Sequence, residues 1–260
     1  MNIFDLTGKS IIITAGASYL GRAMAEGVAE FGARVAVTSR DLAKAEAAAA
    51  ELSEAYGVDA IGLKMDLDND ESVRTVFSET AAVFGKVDVL INNASYSSSA
   101  QFEKMTPEMW AAGIDGTAGG MFKTIRAALD VMIPQGSGSI INISSMYGVV
   151  SPDPGVYGED DNVMPNPANY GAGKAAVIQL TKYIACFYGD RGIRANCICP
   201  GAFPNEKQDA EFVSRLAAKT PLRRVGRPSD LKGVTVLLAS GAGSYITGQN
   251  YIVDGGWTAW

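Results

Sequence analysis

Short runs of consecutive apolar and β-branched residues recur along the chain, each followed by a longer stretch with apolar residues at helical spacing. The runs at 10–14, 34–38, 60–65, 87–91, 139–143, 194–198 and 251–253 predict strands. The stretches at 21–31, 42–56, 71–84, 107–132 and 168–188 predict helices. The strand runs are continuously apolar rather than alternating, as expected of strands buried on both faces. This β–α alternation predicts an α/β fold: one Rossmann-type, doubly wound parallel sheet, flanked by helices on both faces and joined by right-handed crossovers. No internal repeat or linker divides the sequence, so residues 1–260 read as a single domain. In such sheets ligands bind beyond the carboxyl ends of the strands, so the residues just after each strand are the candidates for chemistry.

Composition narrows that chemistry. Hydrophobic residues make up 47% of the 260 and charged residues 19%, enough to build a large core. The net charge is −6 and no lysine/arginine block stands out, which argues against a nucleic-acid partner. The chain has no histidine, which excludes Ser-His and Cys-His mechanisms and most zinc sites; no metal is expected. Proton transfer must then fall to Tyr, Lys, Asp, Glu, Cys or water. Of three cysteines, Cys197 and Cys199 lie two apart in an apolar run and read as packing residues on one strand face. The opening residues lack a basic segment followed by a long apolar one, and no apolar run could span a bilayer. A cytoplasmic protein without a membrane partner is expected.

After the first strand comes Thr14-Ala15-Gly16-Ala17-Ser18-Tyr19-Leu20-Gly21. A turn of small residues entering a helix lets the backbone approach a pyrophosphate, which then meets the free N–H groups and positive dipole end of that helix. A tight strand–helix turn without a ligand would have the same sequence character. The second strand ends in Ser39-Arg40, where a site for NAD usually carries an acid. A hydroxyl and a guanidinium suit a 2′-phosphate, which favours NADP(H) over NAD(H); a solvated arginine at the sheet edge is the alternative. Asp66-Leu67 follows the third strand, with Asp66 suited to the adenine amino group or to capping a helix, a task that residues 68–70 suit better. Asn93-Ala94-Ser95 follow the fourth strand, where small polar residues would pass close under a cofactor.

The fifth strand ends in Ser144-Ser145, and further on stand Tyr170 and Lys174, four apart and so on one helix face. Of ten tyrosines only Tyr170 has a lysine at that spacing. Alone, the pair could be an ordinary helix contact. A phenol of pKa ~10 needs a nearby cation to act as a base near neutral pH, and a lysine one turn away supplies it. Taken together, the turn at 14–21, Asp66, Asn92-Asn93-Ala94, Ser145, Tyr170 with Lys174, Pro200-Gly201 and the ending Val253-Asp254-Gly255-Gly256 resemble the short-chain dehydrogenase/reductase family over nearly the whole chain. The resemblance implies interconversion of an alcohol and a carbonyl with a nicotinamide cofactor. It implies that Tyr170 moves the hydroxyl proton, that Lys174 lowers its pKa and holds the ribose, and that Ser145 hydrogen-bonds the substrate oxygen. It also implies that Thr14, Gly16, Ser18, Tyr19, Leu20, Gly21, Ser39, Arg40, Asp66, Leu67, Asn93, Ala94, Ser95, Pro200 and Gly201 line the cofactor.

Three departures from the family pattern stand out. Ala15 and Tyr19 occupy positions where the phosphate turn usually has glycine. Thr117 falls where the family often has an asparagine that holds a water beside the lysine, in a helix crowded by Gly113, Gly116, Gly119 and Gly120. Each glycine costs a helix roughly 1 kcal/mol against alanine, so close backbone packing, a subunit interface or a kink is expected there. The third departure is the long interval between Ser145 and Tyr170. Residues 149–167, with the acidic run Glu159-Asp160-Asp161, form an insertion that should border the substrate, or else a surface bulge.

Residues 201–221 are expected to form a lid over the substrate. The insertion and the ending resemble members of the family that act on sugars and sugar acids, which favours a polyhydroxylated alcohol or ketone. A carbonyl or 3-ketoacyl reductase is the second reading, and a nucleotide-binding sensor or scaffold with little turnover the third. The aromatic ending Trp257-Thr258-Ala259-Trp260, together with the family's habit of assembling as tetramers, predicts a homo-oligomer, a tetramer or a dimer.

Overall fold

The fold is described from a computed structural model, over residues 2–98, 100–157 and 166–260. Seven strands join one all-parallel sheet: β1 (Ser10–Ile13), β2 (Arg34–Ser39), β3 (Ala60–Lys64), β4 (Val89–Asn92), β5 (Gly138–Ile143), β6 (Ile193–Pro200) and β7 (Asn250–Val253). Their order is β3-β2-β1-β4-β5-β6-β7. The order reverses between β1 and β4, where Ile11–Ile13 pair with Val89–Ile91. All the predicted strands are present, with ends shifted by a residue or two.

Helices α1 (Tyr19–Glu30), α2 (Leu42–Tyr56), α3 (Asp70–Phe84), α4 (Pro107–Ile114), α5 (Gly120–Gln135), α6 (Pro154–Tyr157), α7 (Ala168–Tyr188), α8 (Ala210–Lys219) and α9 (Lys232–Ala239) cover the sheet. Local chemistry sets several of their ends. Asp41 caps α2 through the Lys44 N–H, and Gly57, at φ 66°, ends it. Asn69 caps α3 by accepting from the Glu71 and Ser72 N–H groups, so the cap falls within 68–70 and Asp66 is left for another role.

Two differences from the sequence pattern matter. The stretch at 107–132 is not one helix. A wide π turn over Asp115–Gly119 separates α4 from α5, and α5 runs on to Gln135. The crowded glycines explain it. A Cβ at Gly113 would lie 2.1 Å from Asn169 Nδ2, and one at Gly116 would lie 2.3 Å from the Tyr96 carbonyl oxygen. The helix is thus pressed against its neighbours within the subunit and distorted there. The second difference is α8 and α9, which lie outside the predicted helices; α9 reads Lys-Gly-Val-Thr-Val-Leu-Leu-Ala, a composition that suits a strand as well.

Two apolar layers sandwich the sheet. One joins Ile11, Ile13, Val35 and Val37 to Met24, Val28 and Leu238, the other Ile12, Ala36 and Leu90 to Phe77, Ile125 and Met132. Cys197 and Cys199 are buried on one face of β6, as packing residues should be. Among the described residues no helix is long and apolar enough to cross a membrane.

Candidate active site

Thr14 organises the switch point. It is fully buried, and its hydroxyl accepts from the backbone N–H groups of Asn93 (2.8 Å) and Ala94 (2.7 Å). The loop after β4 is thereby fixed against the turn after β1. Asn93 returns the contact, its amide donating to the Thr14 carbonyl at 3.2 Å. Ala15 and Tyr19 both adopt left-handed backbone, at φ 51° and 48°. The turn keeps a glycine-type conformation without glycine, at a cost of about 1–2 kcal/mol for each residue. Gly21 has no such freedom to change, because a Cβ there would sit 2.2 Å from the Ala15 carbonyl oxygen. Ser18 is the N-cap of α1, yet its side chain makes no capping bond, which leaves its hydroxyl and the first turn at Tyr19 and Leu20 open to an anion. The Tyr19 hydroxyl reaches the start of the lid segment and donates to the carbonyls of Phe203 (2.8 Å) or Pro204 (2.6 Å).

A cavity of about 320 Å³ runs along this edge, lined by Ala15, Ser18, Ser39, Arg40, Asp66, Leu67, Ala94 and Ser95. Seven of the residues expected at a cofactor, Ser18, Ser39, Arg40, Asp66, Leu67, Ala94 and Ser95, therefore meet around one space. Lys44 and Tyr96 line it too, and neither stood out in the sequence. Lys44 follows Arg40 by four residues across a turn, a spacing that could have marked it. Tyr96 closes the far side by donating its hydroxyl to the Asp68 carboxylate, which pushes the phenol's pKa up to about 12. Asp66 accepts from the Asp68 N–H at 3.0 Å. Pro200 and Gly201 end β6, where Gly201 packs against Asp254 too closely for a side chain: a Cβ would lie 2.5 Å from Asp254 Cα.

Beyond β5, burial raises the pKa of the Tyr170 phenol, and the neighbouring Ser145 side chain pulls it back down. Lys174 is 2% exposed, and burial lowers its pKa to about 8. Its ammonium donates to the Ile143 carbonyl at 2.9 Å and lies 3.4 Å from Ser95 Oγ. It stands 5.5 Å from the centroid of the Tyr170 ring. The Thr117 hydroxyl donates within its own helix to Gly113 O at 2.8 Å, which leaves only its lone pairs for a water.

Residues 153–157 pack against α8. Arg215 of α8 donates to the Val156 carbonyl at 2.8 Å, Lys219 pairs with Asp153, and the rings of Tyr157 and Phe212 lie 5.7 Å apart. The Tyr147 and Tyr157 hydroxyls are 3.1 Å apart, and burial together with that bond pushes the Tyr147 phenol's pKa up. The acidic run at 159–161 lies outside the described residues. Trp257 is buried in the same cluster as Met146, Val156 and Leu216, so only Trp260 of the two terminal tryptophans is exposed. Neither Tyr147 nor Tyr157 carried a spacing signal in the sequence. Among the described residues no group of acids and cysteines could hold a metal.

A family model described as enoyl-(acyl carrier protein) reductase matches residues 15–258. The chain is 35% identical over 252 residues to the 3-oxoacyl-[acyl-carrier-protein] reductase FabG of Staphylococcus aureus (strain N315), covering 95% of this chain and 97% of that protein. It is 33% identical to the 3beta-hydroxysteroid dehydrogenase 1 of Eggerthella lenta, covering 98% and 95%. Among solved structures it resembles a gluconate 5-dehydrogenase from Burkholderia cenocepacia J2315 in complex with NADP and tartrate, with TM-score 0.89, 32% identity and coverage of 100% and 98%. It also resembles an NADPH-dependent 3-quinuclidinone reductase from Rhodotorula rubra, with TM-score 0.89, 28% identity and coverage of 99% and 94%. The chain belongs to the short-chain dehydrogenase/reductase family. It is an NAD(P)-dependent oxidoreductase.

Proposed function

We propose that this enzyme interconverts a secondary alcohol and a ketone, with Tyr170 as the acid/base and NADP(H) as the preferred cofactor. The observation that carries this reading is the buried Lys174 ammonium 5.5 Å from the centroid of the Tyr170 ring, with Ser145 beside the phenol. In ketone reduction Tyr170 gives its proton to the substrate oxygen while Ser145 donates to the same oxygen and stabilises the charge that builds there. In alcohol oxidation Tyr170 takes that proton. The cofactor, when bound, supplies or accepts the hydride. Its phosphates would be held at Gly16, Ser18, Leu20 and Gly21, its adenine beside Asp66 and Leu67, and its nicotinamide end by Asn93, Ala94, Ser95, Lys174, Pro200 and Gly201. Ser39, Arg40 and Lys44 would hold a 2′-phosphate, since two cations flank one end of the cavity.

The paired hydroxyls of Tyr147 and Tyr157 support a substrate that carries further hydroxyls, as in sugars or sugar acids. The apolar cluster of Met146, Val156, Leu216 and Trp257 favours a second reading, a ketoacyl or other apolar ketone. Fluorescence titration with NADPH and NADH, followed by turnover on keto-sugars, 3-ketoacyl thioesters and simple ketones, tests all of this. Tighter NADPH binding with turnover of a polyhydroxylated ketone is the expected result. Turnover of ketoacyl thioesters alone would move the assignment to the second reading. Binding without turnover of any class would favour a nucleotide sensor.

A further inference from the structure

The start of α7, which carries Tyr170, lacks an ordinary cap: its N-cap is Pro167, with no side-chain capping bond. A fully buried amide anchors it instead. Asn169 Nδ2 donates to the Ser98 carbonyl at 3.1 Å and to the Met109 carbonyl at 3.0 Å, and its Oδ1 accepts from Ser97 Oγ at 3.4 Å. Both amide protons are used, and a buried polar group satisfied in this way holds its neighbours in one arrangement.

The amide also fits a hole. Asn169 fills the space left by Gly113 of α4, where a Cβ would lie 2.1 Å from Nδ2. One turn further along, the fit is reversed. Thr117, fully buried, fills the space left by Gly173, where a Cβ would lie 1.8 Å from Thr117 Oγ1. Each helix thus offers one knob and one hole, four residues apart. Tyr170 follows Asn169 directly, and Lys174 follows Gly173. A slide of α7 by one residue, roughly 1.5 Å, would break both fits at once. The same loop that holds Asn169 through Ser97 and Ser98 brings Ser95 to Lys174.

We propose that Asn169 is a positioning residue, which touches no reacting atom but fixes the height and rotation of α7 so that Tyr170 meets Ser145 while Lys174 stays over β5. This rests on the reading of Tyr170 as the acid/base. Nothing in the motif itself marks the residue, since the functional pattern begins one position later.

The test uses the full chain with Asn169→Ala, the uncharged Asn169→Leu, and Tyr170→Phe. Three readouts separate positioning from folding: NADPH affinity, the kcat-against-KM split, and the Tyr170 titration. That titration is followed by tyrosinate absorbance with NADP⁺ bound, subtracting the Tyr170→Phe spectrum. Ser145, Lys174, Tyr147 and Cys199 are the groups around that phenol, and all remain in the Asn169 variants. Asn169→Ala is expected to bind NADPH within about twofold of the parent, to move the Tyr170 midpoint by at least about one pH unit, and to lose at least ~10-fold in kcat with KM little changed. If Asn169→Ala does not fold, Asn169→Leu, which keeps the bulk, loses both donors and adds no charge, carries the same expectation. A folded variant with the parent's midpoint and kcat overturns the proposal. Near-parental turnover by Tyr170→Phe overturns the acid/base reading beneath it. A dead Tyr170→Phe beside normal Asn169 variants overturns the positioning role alone.

Discussion

Lys174 shows most clearly that this site is held together against its own stability. A buried ammonium with a pKa of about 8, against 10.5 for a free lysine, prefers the unfolded chain whenever it is charged. The folded state binds fewer protons than the unfolded state between those two values, so stability from this group rises with pH across that window. Below it, the burden is present in full, on the order of 3 kcal/mol before the bond to Ile143 O is set against it. Lys174→Met is therefore expected to abolish turnover yet raise the unfolding temperature at pH 7. The gain should shrink as pH rises from about 8 towards 10.5, as calorimetry over pH would show. A gain independent of pH would mean that packing, not charge, is responsible. Tyr170→Phe should lose at least ~100-fold in kcat and keep its affinity for NADPH, measured by fluorescence. Arg40→Ala and Lys44→Ala should each weaken NADPH by roughly tenfold while leaving NADH unchanged, because each removes one charge-assisted contact worth about 1.5–3 kcal/mol at most. Equal losses for both nucleotides would count against a 2′-phosphate role.

At the level of strands and helices, the turn after β1 and the α4–α5 junction carry two of the three departures from the family pattern, and each answers differently. The turn holds Ala15 and Tyr19 in left-handed backbone. Ala15→Gly should relieve about 1 kcal/mol of that strain and leave cofactor binding intact, which thermal unfolding with and without NADPH would reveal. Much of this was legible in the sequence. Strands such as Ile11–Ile13 are fully apolar because both faces are covered, and nothing in their surroundings contradicts that signal. The pair Tyr170 and Lys174 was legible because helix periodicity fixes their common face. What escaped the sequence depends on contacts between distant segments. The direction of Lys174 is set by the Ile143 carbonyl, the Tyr147–Tyr157 pair spans the insertion, and Asn169 acquires its role only when α4 and the loop at 95–98 are in place. Helix α9 escaped because its composition favours a strand and its packing against α1 decides otherwise.

Across the subunit surface, large apolar groups gather on neighbouring helices. Tyr183 and Phe187 of α7 are 51% and 60% exposed and stack with centroids 4.3 Å apart, while Phe122 of α5 is 50% exposed. Such a surface is expected to be covered by another copy of the chain. Sedimentation at micromolar concentration should show an oligomer, and Tyr183→Glu with Phe187→Glu should shift it to smaller species. A monomeric parent would refute the expectation.

The π turn at Asp115–Gly119 has one more consequence, best put as helical phase. A single extra residue in a helix rotates everything beyond it by about 100°. Gly113 before the turn and Thr117 within it mesh with α7; beyond it, Met121 packs with Val177 of α7 and Cys197 of β6, and Ile125 joins the core against the sheet. The turn sets the phase between these two groups of contacts. Removing one residue from the turn would therefore not trim the chain so much as throw its two halves out of step, with either the sheet or the reactive pair left facing the wrong way.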